Sequence, residues 1–258
     1  MSKSYFIDYS VTYNREARAE EAVTALKLSG NNPAQGLLLD LGCGTGSTTK
    51  WFSNNLGVFS VGLEVLGTFA EREKTNNPRL NYLFASGVNL PFQEKTFHTV
   101  ILNDVLEHIS YKKAPEVFKQ IRAVLDDEGM LYISVASKFE VREPHSNLVL
   151  MSWFPRWVYS PIVRRIFHDD VYPYTARSFR KLAEQTGFSF ENLTCLYVAK
   201  KIQNLNYIGN TMLRPIVRML NKISLTKSPG FLKFLEPFGV LVFTCRKQAP
   251  RQRKEERV

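Results

Sequence analysis

Between residues 36 and 135, short apolar runs alternate with longer segments whose apolar positions recur every three or four residues. The runs Gly36–Leu41, Val58–Leu63, Leu80–Phe84, Thr99–Asn103 and Met130–Val135 are nearly continuous rather than alternating, the pattern of strands covered on both faces. The segments near 46–55, 66–74 and 112–125 read as the intervening helices, with a further helix over about 14–28. The acidic stretch DDEG ahead of the fifth strand reads as a helix stop with Gly129 at the cap. Thr175 is a good N-cap for a helix through TARSFRKLAEQTGF that ends at Gly187, and GVLVFTCRK supplies a last strand. This β-α-β-α rhythm predicts an α/β fold with a doubly wound, mostly parallel sheet.

Two segments break the rhythm. Residues 138–173 are rich in Trp, Phe, Tyr, Pro and Arg, and residues 203–237 are basic and apolar; connections of such length inside a compact domain tend to be functional. The expected organisation is one domain over 1–246 carrying these two lid-like insertions, followed by a basic, disordered tail at 247–258.

Charge sharpens this division. Residues 200–258 hold 13 Lys and Arg against 3 Glu, whereas residues 1–199 hold 21 of each sign, so the whole formal charge of +10 lies in the last quarter. Such asymmetry points to an anionic partner, a membrane surface or a nucleic acid. Three widely separated cysteines, Cys43, Cys195 and Cys245, indicate neither a disulfide framework nor a zinc site. No apolar run at the N-terminus has the length of a signal peptide and none elsewhere approaches a membrane span, so residence in the cytosol is expected.

The chemistry begins at LLLDLGCGTGSTTKWF, where Gly42, Gly44 and Gly46 lie between a strand and a helix. A turn stripped of side chains lets a ligand rest on the backbone and the positive end of the helix. A dinucleotide fingerprint spaces its glycines G-x-G-x-x-G; here the spacing is G-x-G-x-G, with Ser47 in the third place. Glu64 ends the second strand, where a carboxylate can accept both ribose hydroxyls of a nucleoside. Asp40, intolerable beside a pyrophosphate, suits a ligand with an amino group.

Three ordered motifs, LLLDLGCGTG, VGLEVL and NLPFQEKTFHTVILNDVLEHI, together resemble the class I S-adenosylmethionine-dependent methyltransferases over about residues 36–136, and RSFRKLAEQTGF and FGVLVFTCRK fit that family's last helix and last antiparallel strand. The resemblance implies a Rossmann-like, seven-stranded sheet with an antiparallel last strand, and S-adenosylmethionine as cofactor. It places Asp40, Gly42, Gly44, Gly46, Glu64, Val65, Ser86, Gly87, Asn103 and Asp104 at the cofactor. Two positions depart from the family pattern. Ser86 stands where an Asp usually meets the adenine amino group, and His98 stands where an acid usually precedes the fourth strand.

Methyl transfer from a sulfonium is an in-line displacement, and a base is required only when the acceptor must lose a proton. His145, in VREPHSN beyond the fifth strand, is the leading candidate, with His108 of NDVLEHI second; His98 and His168 read as structural or surface residues. Asp104, Glu107 and His108 have a spacing compatible with a metal, but LEH runs occur with many substrates and no metal is assigned. In the insertions, Arg156, Arg164 and Arg165 lie among Trp153, Phe154, Trp157, Tyr159 and Phe167, and Arg214, Arg218 and Lys222 form one stripe opposite Leu213, Ile216, Val217, Leu220 and Ile223. Two readings apply: docking on an anionic membrane, or a lid with a solvated basic face. The expectation is an adenosylmethionine-dependent enzyme, cytoplasmic or peripheral on the inner membrane face, that O-methylates a small-molecule acceptor, lipid-linked or isoprenoid-type. An RNA or protein methyltransferase is the first alternative, disfavoured by the lack of a recognisable RNA-binding module, and an inactive cofactor-binding protein is the second.

Overall fold

The computed structural model describes residues 15–65, 81–140, 148–167, 170–195 and 240–248, together with Glu143 and Ser146. The helix expected near 66–74, the second insertion at 203–237, the chain beyond Gln248, and the candidate residues His145 and His168 lie outside these residues.

The elements follow the expected alternation: α1 (Arg15–Leu28), β1 (Leu38–Leu41), α2 (Ser47–Leu56), β2 (Ser60–Glu64), β3 (Tyr82–Phe84), β4 (Phe97–Asn103), α3 (Ala114–Val124), β5 (Leu125–Val135), α4 (Arg156–Phe167), α5 (Ala176–Gln185), β6 (Phe188–Asn192) and β7 (Leu241–Lys247). They build one seven-stranded sheet in the order β3-β2-β1-β4-β5-β7-β6, parallel except for β7, which runs antiparallel to both neighbours. The strand order reverses between β1 and β4, and the crevice outside the carboxyl ends there is where open α/β sheets bind ligands.

Side chains alternate across the sheet and so sort into two cores. Leu39, Leu41, Val100, Leu102, Leu131 and Ile133 meet Val117, Phe118 and Ile121 of α3 and Phe179 and Leu182 of α5 on one face. On the other, Leu38, Ile101, Met130 and Tyr132 meet Ala19, Ala22 and Leu26 of α1 and Phe52 of α2. Helix α5 opens as expected, with the Thr175 hydroxyl accepting from the Ser178 N–H in a reciprocal cap, and Gly187 takes the left-handed conformation after it (φ 77°).

Three details differ from the expectation. Gly129 is not a helix cap: α3 ends at Val124 with Leu125 as its cap, and DDEG belongs to β5 as a bulge, since Phe97 pairs with Leu125 but Thr99 with Met130. Glycine is needed there for close approach, because a Cβ on Gly129 would lie 2.9 Å from the His98 carbonyl oxygen. Strand β6 completes the seven strands that the resemblance implies, at a place the hydrophobic pattern leaves unassigned because its SFEN run has exposed polar positions on an edge strand. Lys247, assigned to the tail, closes β7 and lies 3.6 Å from Asp127.

Candidate functional site

The glycine turn after β1 holds Gly42, Gly44 and Gly46 at φ 78°, 56° and 76°, a left-handed run that only glycine adopts without strain. A Cβ on Gly42 would lie 2.5 Å from Cγ2 of Val105, so the loop after β4 rests directly on the turn. Gly62 of β2 plays the same part behind it, leaving room for the Cys43 sulfur and the Thr49 hydroxyl, which a Cβ would approach to 2.8 and 2.9 Å.

Glu64 turns back onto this loop. One carboxylate oxygen accepts from the Gly44 N–H at 2.9 Å and the other from the Val65 N–H at 2.8 Å, while the Val65 side chain is exposed. The Tyr82 hydroxyl donates to the Gly44 carbonyl at 2.5 Å, so both polar groups of Gly44 are held by side chains from adjacent strands. Asp40 is buried and accepts from Thr49 Oγ1 at 2.7 Å, which ties β1 to the first turn of α2. Burial pushes the Cys43 thiol and the Tyr82 phenol well above their ordinary ranges, and the negative fields of Asp40 and Glu64 act in the same direction. The electronegative turn suits a ligand that carries positive charge and no phosphate.

Across the switch point, Asn103 ends β4 and Asp104 follows it in the left-handed region (φ 55°). The Ser134 hydroxyl lies 2.6 Å from Asn103 Oδ1 and 2.8 Å from Asp104 Oδ1, and it accepts from the Asp104 N–H at 3.0 Å. The other Asp104 oxygen meets Arg18 Nη2 of α1 at 2.8 Å. Beyond β3, the Ala85 N–H donates to the Glu64 carbonyl, and Ser86 follows it at the same end of the sheet, its carbonyl accepting from the Asn89 N–H. Gly87 has only ordinary contact distance to Val117 and Leu41, so its lack of a side chain is not demanded there by packing.

The structure thus gathers Asp40, Gly42, Gly44, Gly46, Glu64, Val65, Ser86, Asn103 and Asp104 around one edge of the sheet. His108 closes a single turn of 3-10 helix, Leu106–His108, and is exposed. Its neighbour Glu107 is buried instead, accepting from the Ala136 N–H at 3.3 Å, so Asp104, Glu107 and His108 do not converge on one point. Among the described residues, no three His, Cys, Asp or Glu side chains group as metal ligands. His98, the basic departure expected to precede the fourth strand, is the second residue of β4 and is structural: Nδ1 lies 3.0 Å from Asp126 of the bulge and Nε2 3.4 Å from Asn31.

Sequence reasoning missed Tyr82, Thr49, Ser134 and Arg18. Tyr82 and Ser134 sit in no recognisable motif, and Thr49 lies three residues past the glycine turn, where only a helix start is readable. Arg18 carries a readable signal, since it precedes Ala22 and Leu26 at helical spacing on an otherwise apolar stripe of α1.

The first insertion covers the same edge of the sheet. Tyr172 N–H donates to the Glu107 carbonyl at 2.7 Å, Tyr174 N–H to that of Ala136 at 3.0 Å, and Lys138 N–H to that of Tyr174 at 2.7 Å. Tyr159 and Val163 of α4 pack with Val171 in a small core of their own, and Arg156 lies 4.0 Å over the Tyr172 ring.

A parallel sheet with one antiparallel strand, a triple-glycine turn without the dinucleotide spacing, and an acid at the end of β2 define a class I adenosylmethionine-dependent methyltransferase fold. The profile of the methyltransferase-domain family matches residues 12–193, and the chain belongs to that family; its cofactor is S-adenosylmethionine. It is 32% identical over 121 residues to an uncharacterised protein of Methanocaldococcus jannaschii, covering 46% of this chain and 48% of that one. To the human probable tRNA methyltransferase 9B it is 31% identical over 119 residues, 45% of this chain and 25% of that one. The chain thus matches less than half the length of these curated relatives. Geranyl diphosphate C-methyltransferase of Streptomyces coelicolor shares the fold, with a TM-score of 0.56, 13% identity, and coverage of 90% of this chain and 77% of that one.

Proposed function

We propose that the protein transfers the methyl group of S-adenosylmethionine to the hydroxyl of a small, amphipathic, lipid-linked acceptor, met at an anionic membrane surface. The observation that carries this reading is the outer face of α4 and the turn before it. Trp157 is 79% exposed, and Val149, Trp153, Phe154, Ile162 and Ile166 are exposed beside it. Arg164 and Arg165 are exposed on the same helix, and residues 148–167 contain no acid. Exposed aromatic rings flanked by arginines match an interfacial helix that inserts among headgroups. This helix belongs to the insertion pinned at the carboxyl edge of β4 and β5, so docking there brings the acceptor to the cofactor edge. No described helix is long and apolar enough to cross a membrane.

When bound, the cofactor supplies an electrophilic methyl group on a sulfonium. The chain's part is to hold the nucleoside on the glycine turn with Glu64 and to align the acceptor oxygen. In this reading His145 would take the proton of the acceptor hydroxyl, leaving its oxygen free to receive the methyl group. A second reading, RNA methylation, is supported by the likeness to the probable tRNA methyltransferase and by the basic last quarter.

Sedimentation with vesicles of phosphatidylcholine and phosphatidylglycerol tests the choice. The wild-type protein should pellet at low salt, and Trp157→Ser with Phe154→Ser should release a large part of it without loss of cofactor binding. A wild-type protein that stays in the supernatant defeats the membrane reading, and tRNA binding under the same conditions puts RNA in its place.

A further inference from the structure

Helix α1 buries an apolar stripe of Ala19, Ala22, Val23 and Leu26 against the sheet, yet one charged side chain shares that burial: Arg18, only 4% exposed. Taking a guanidinium out of water is costly, and an apolar residue of similar size at such a place is often neutral or stabilising. Stability alone therefore does not account for Arg18. Its Nη2 meets Asp104 Oδ2 at 2.8 Å, and Nη1 lies 3.7 Å from Glu21.

Asp104 is unusual in its own right. Its φ of 55° lies in the left-handed region, which an Asp adopts more readily than most non-glycine residues but which is held in place by surrounding contacts. Here the N–H is held by the carbonyl and hydroxyl of Ser134, Oδ1 by that hydroxyl and Oδ2 by Arg18. Alternation along the strands places Asp40, Asn103 and Ser134 together on the α1 side of the sheet, toward its carboxyl end. The Asp104 side chain is still 35% exposed, and a carboxylate has about four lone-pair sites, so it can accept from a further donor. Val105, the next residue, packs on the backbone of Gly42. The clamp therefore ends in a carboxylate beside the glycine turn.

We infer that Arg18 is a positioning residue for the amino-acid end of the cofactor: it holds Asp104 in the conformation that presents a carboxylate to the cofactor's ammonium group, and so couples helix α1 to cofactor occupancy. The inference rests on the assignment of the glycine turn to S-adenosylmethionine. It adds a residue from outside the three motifs, and it predicts selectivity for one end of the ligand.

Isothermal titration of the ligand-free protein with two ligands tests it. S-adenosylhomocysteine carries the amino-acid end, and methylthioadenosine keeps the nucleoside without it. Arg18→Met should weaken the first by on the order of tenfold or more, the effect of one charge-assisted hydrogen bond, and the second by less than about threefold. Asp104→Asn should show the same selectivity, and the double variant should be little worse than either single one. Arg18→Lys should recover part of the loss, and it serves as the test variant if circular dichroism shows that Arg18→Met does not fold. Equal losses for both ligands, or no loss for S-adenosylhomocysteine, would overturn the role of Arg18 while leaving the cofactor assignment intact. A wild-type protein that binds neither ligand overturns both.

Discussion

Gly42 offers the most direct test of the glycine turn, because two separable forces act on one atom. In Gly42→Ala the new Cβ must be accommodated at φ 78°, where an L-residue is strained by about 1–2 kcal/mol. The same Cβ would lie 2.5 and 2.7 Å from the two methyl groups of Val105 and 3.2 Å from its Cβ. Overpacking of this kind costs about 1–3 kcal/mol, so the variant should lose roughly 2–5 kcal/mol of stability in all. Val105→Ala removes both methyl groups and with them the two shortest contacts. In the double variant only the 3.2 Å approach to the Cβ of residue 105 is left of the clash, so most of that term should be relieved while the backbone strain remains, giving a favourable coupling of about 1–3 kcal/mol in a double-mutant cycle. Urea unfolding of the four proteins, with the slope checked for constancy, measures this. A Gly42→Ala protein within about 0.5 kcal/mol of wild type, or strictly additive variants, would refute the reasoning. Titration with S-adenosylhomocysteine on the same samples should show weaker binding to Gly42→Ala, because the turn and the Asp104 loop that rests on it move together.

Two further outcomes are expected. Glu64→Ala should weaken nucleoside binding by roughly 1–3 kcal/mol, since it removes an acceptor and frees the Gly44 and Val65 N–H groups it organises; unchanged affinity in titration counts against the ribose role. His145→Ala should lower turnover with little change in cofactor affinity, and exposed His108→Ala should do less; equal pH–rate profiles of wild type and His145→Ala across the neutral range would remove His145 from the mechanism.

The cofactor motifs were legible in one dimension because each is local. The glycine register and the acid closing β2 lie within single strand-to-turn segments, and chain order with hydrophobic period places their ends along one edge of a parallel sheet. The cap of α5 was legible for the same reason, since Thr175 and Ser178 belong to one helical turn. Contacts between distant segments were hidden. Whether Gly129 capped a helix or filled a bulge depended on His98, whose carbonyl leaves no room for a Cβ and whose ring takes Asp126 as a partner. Edge strand β6 exists because β7 offers it hydrogen bonds and the Phe179, Phe190 and Phe243 rings pack together, while its own polar positions read as a loop. Likewise Tyr82 carries no meaning until folding sets it beneath Gly44, and the place of Arg18 on the apolar stripe of α1 does not reveal its partner, Asp104. Periodicity encodes which face of an element is buried; which polar groups must then satisfy one another is decided by packing, because a buried donor or acceptor takes whatever partner the tertiary structure brings within about 3 Å.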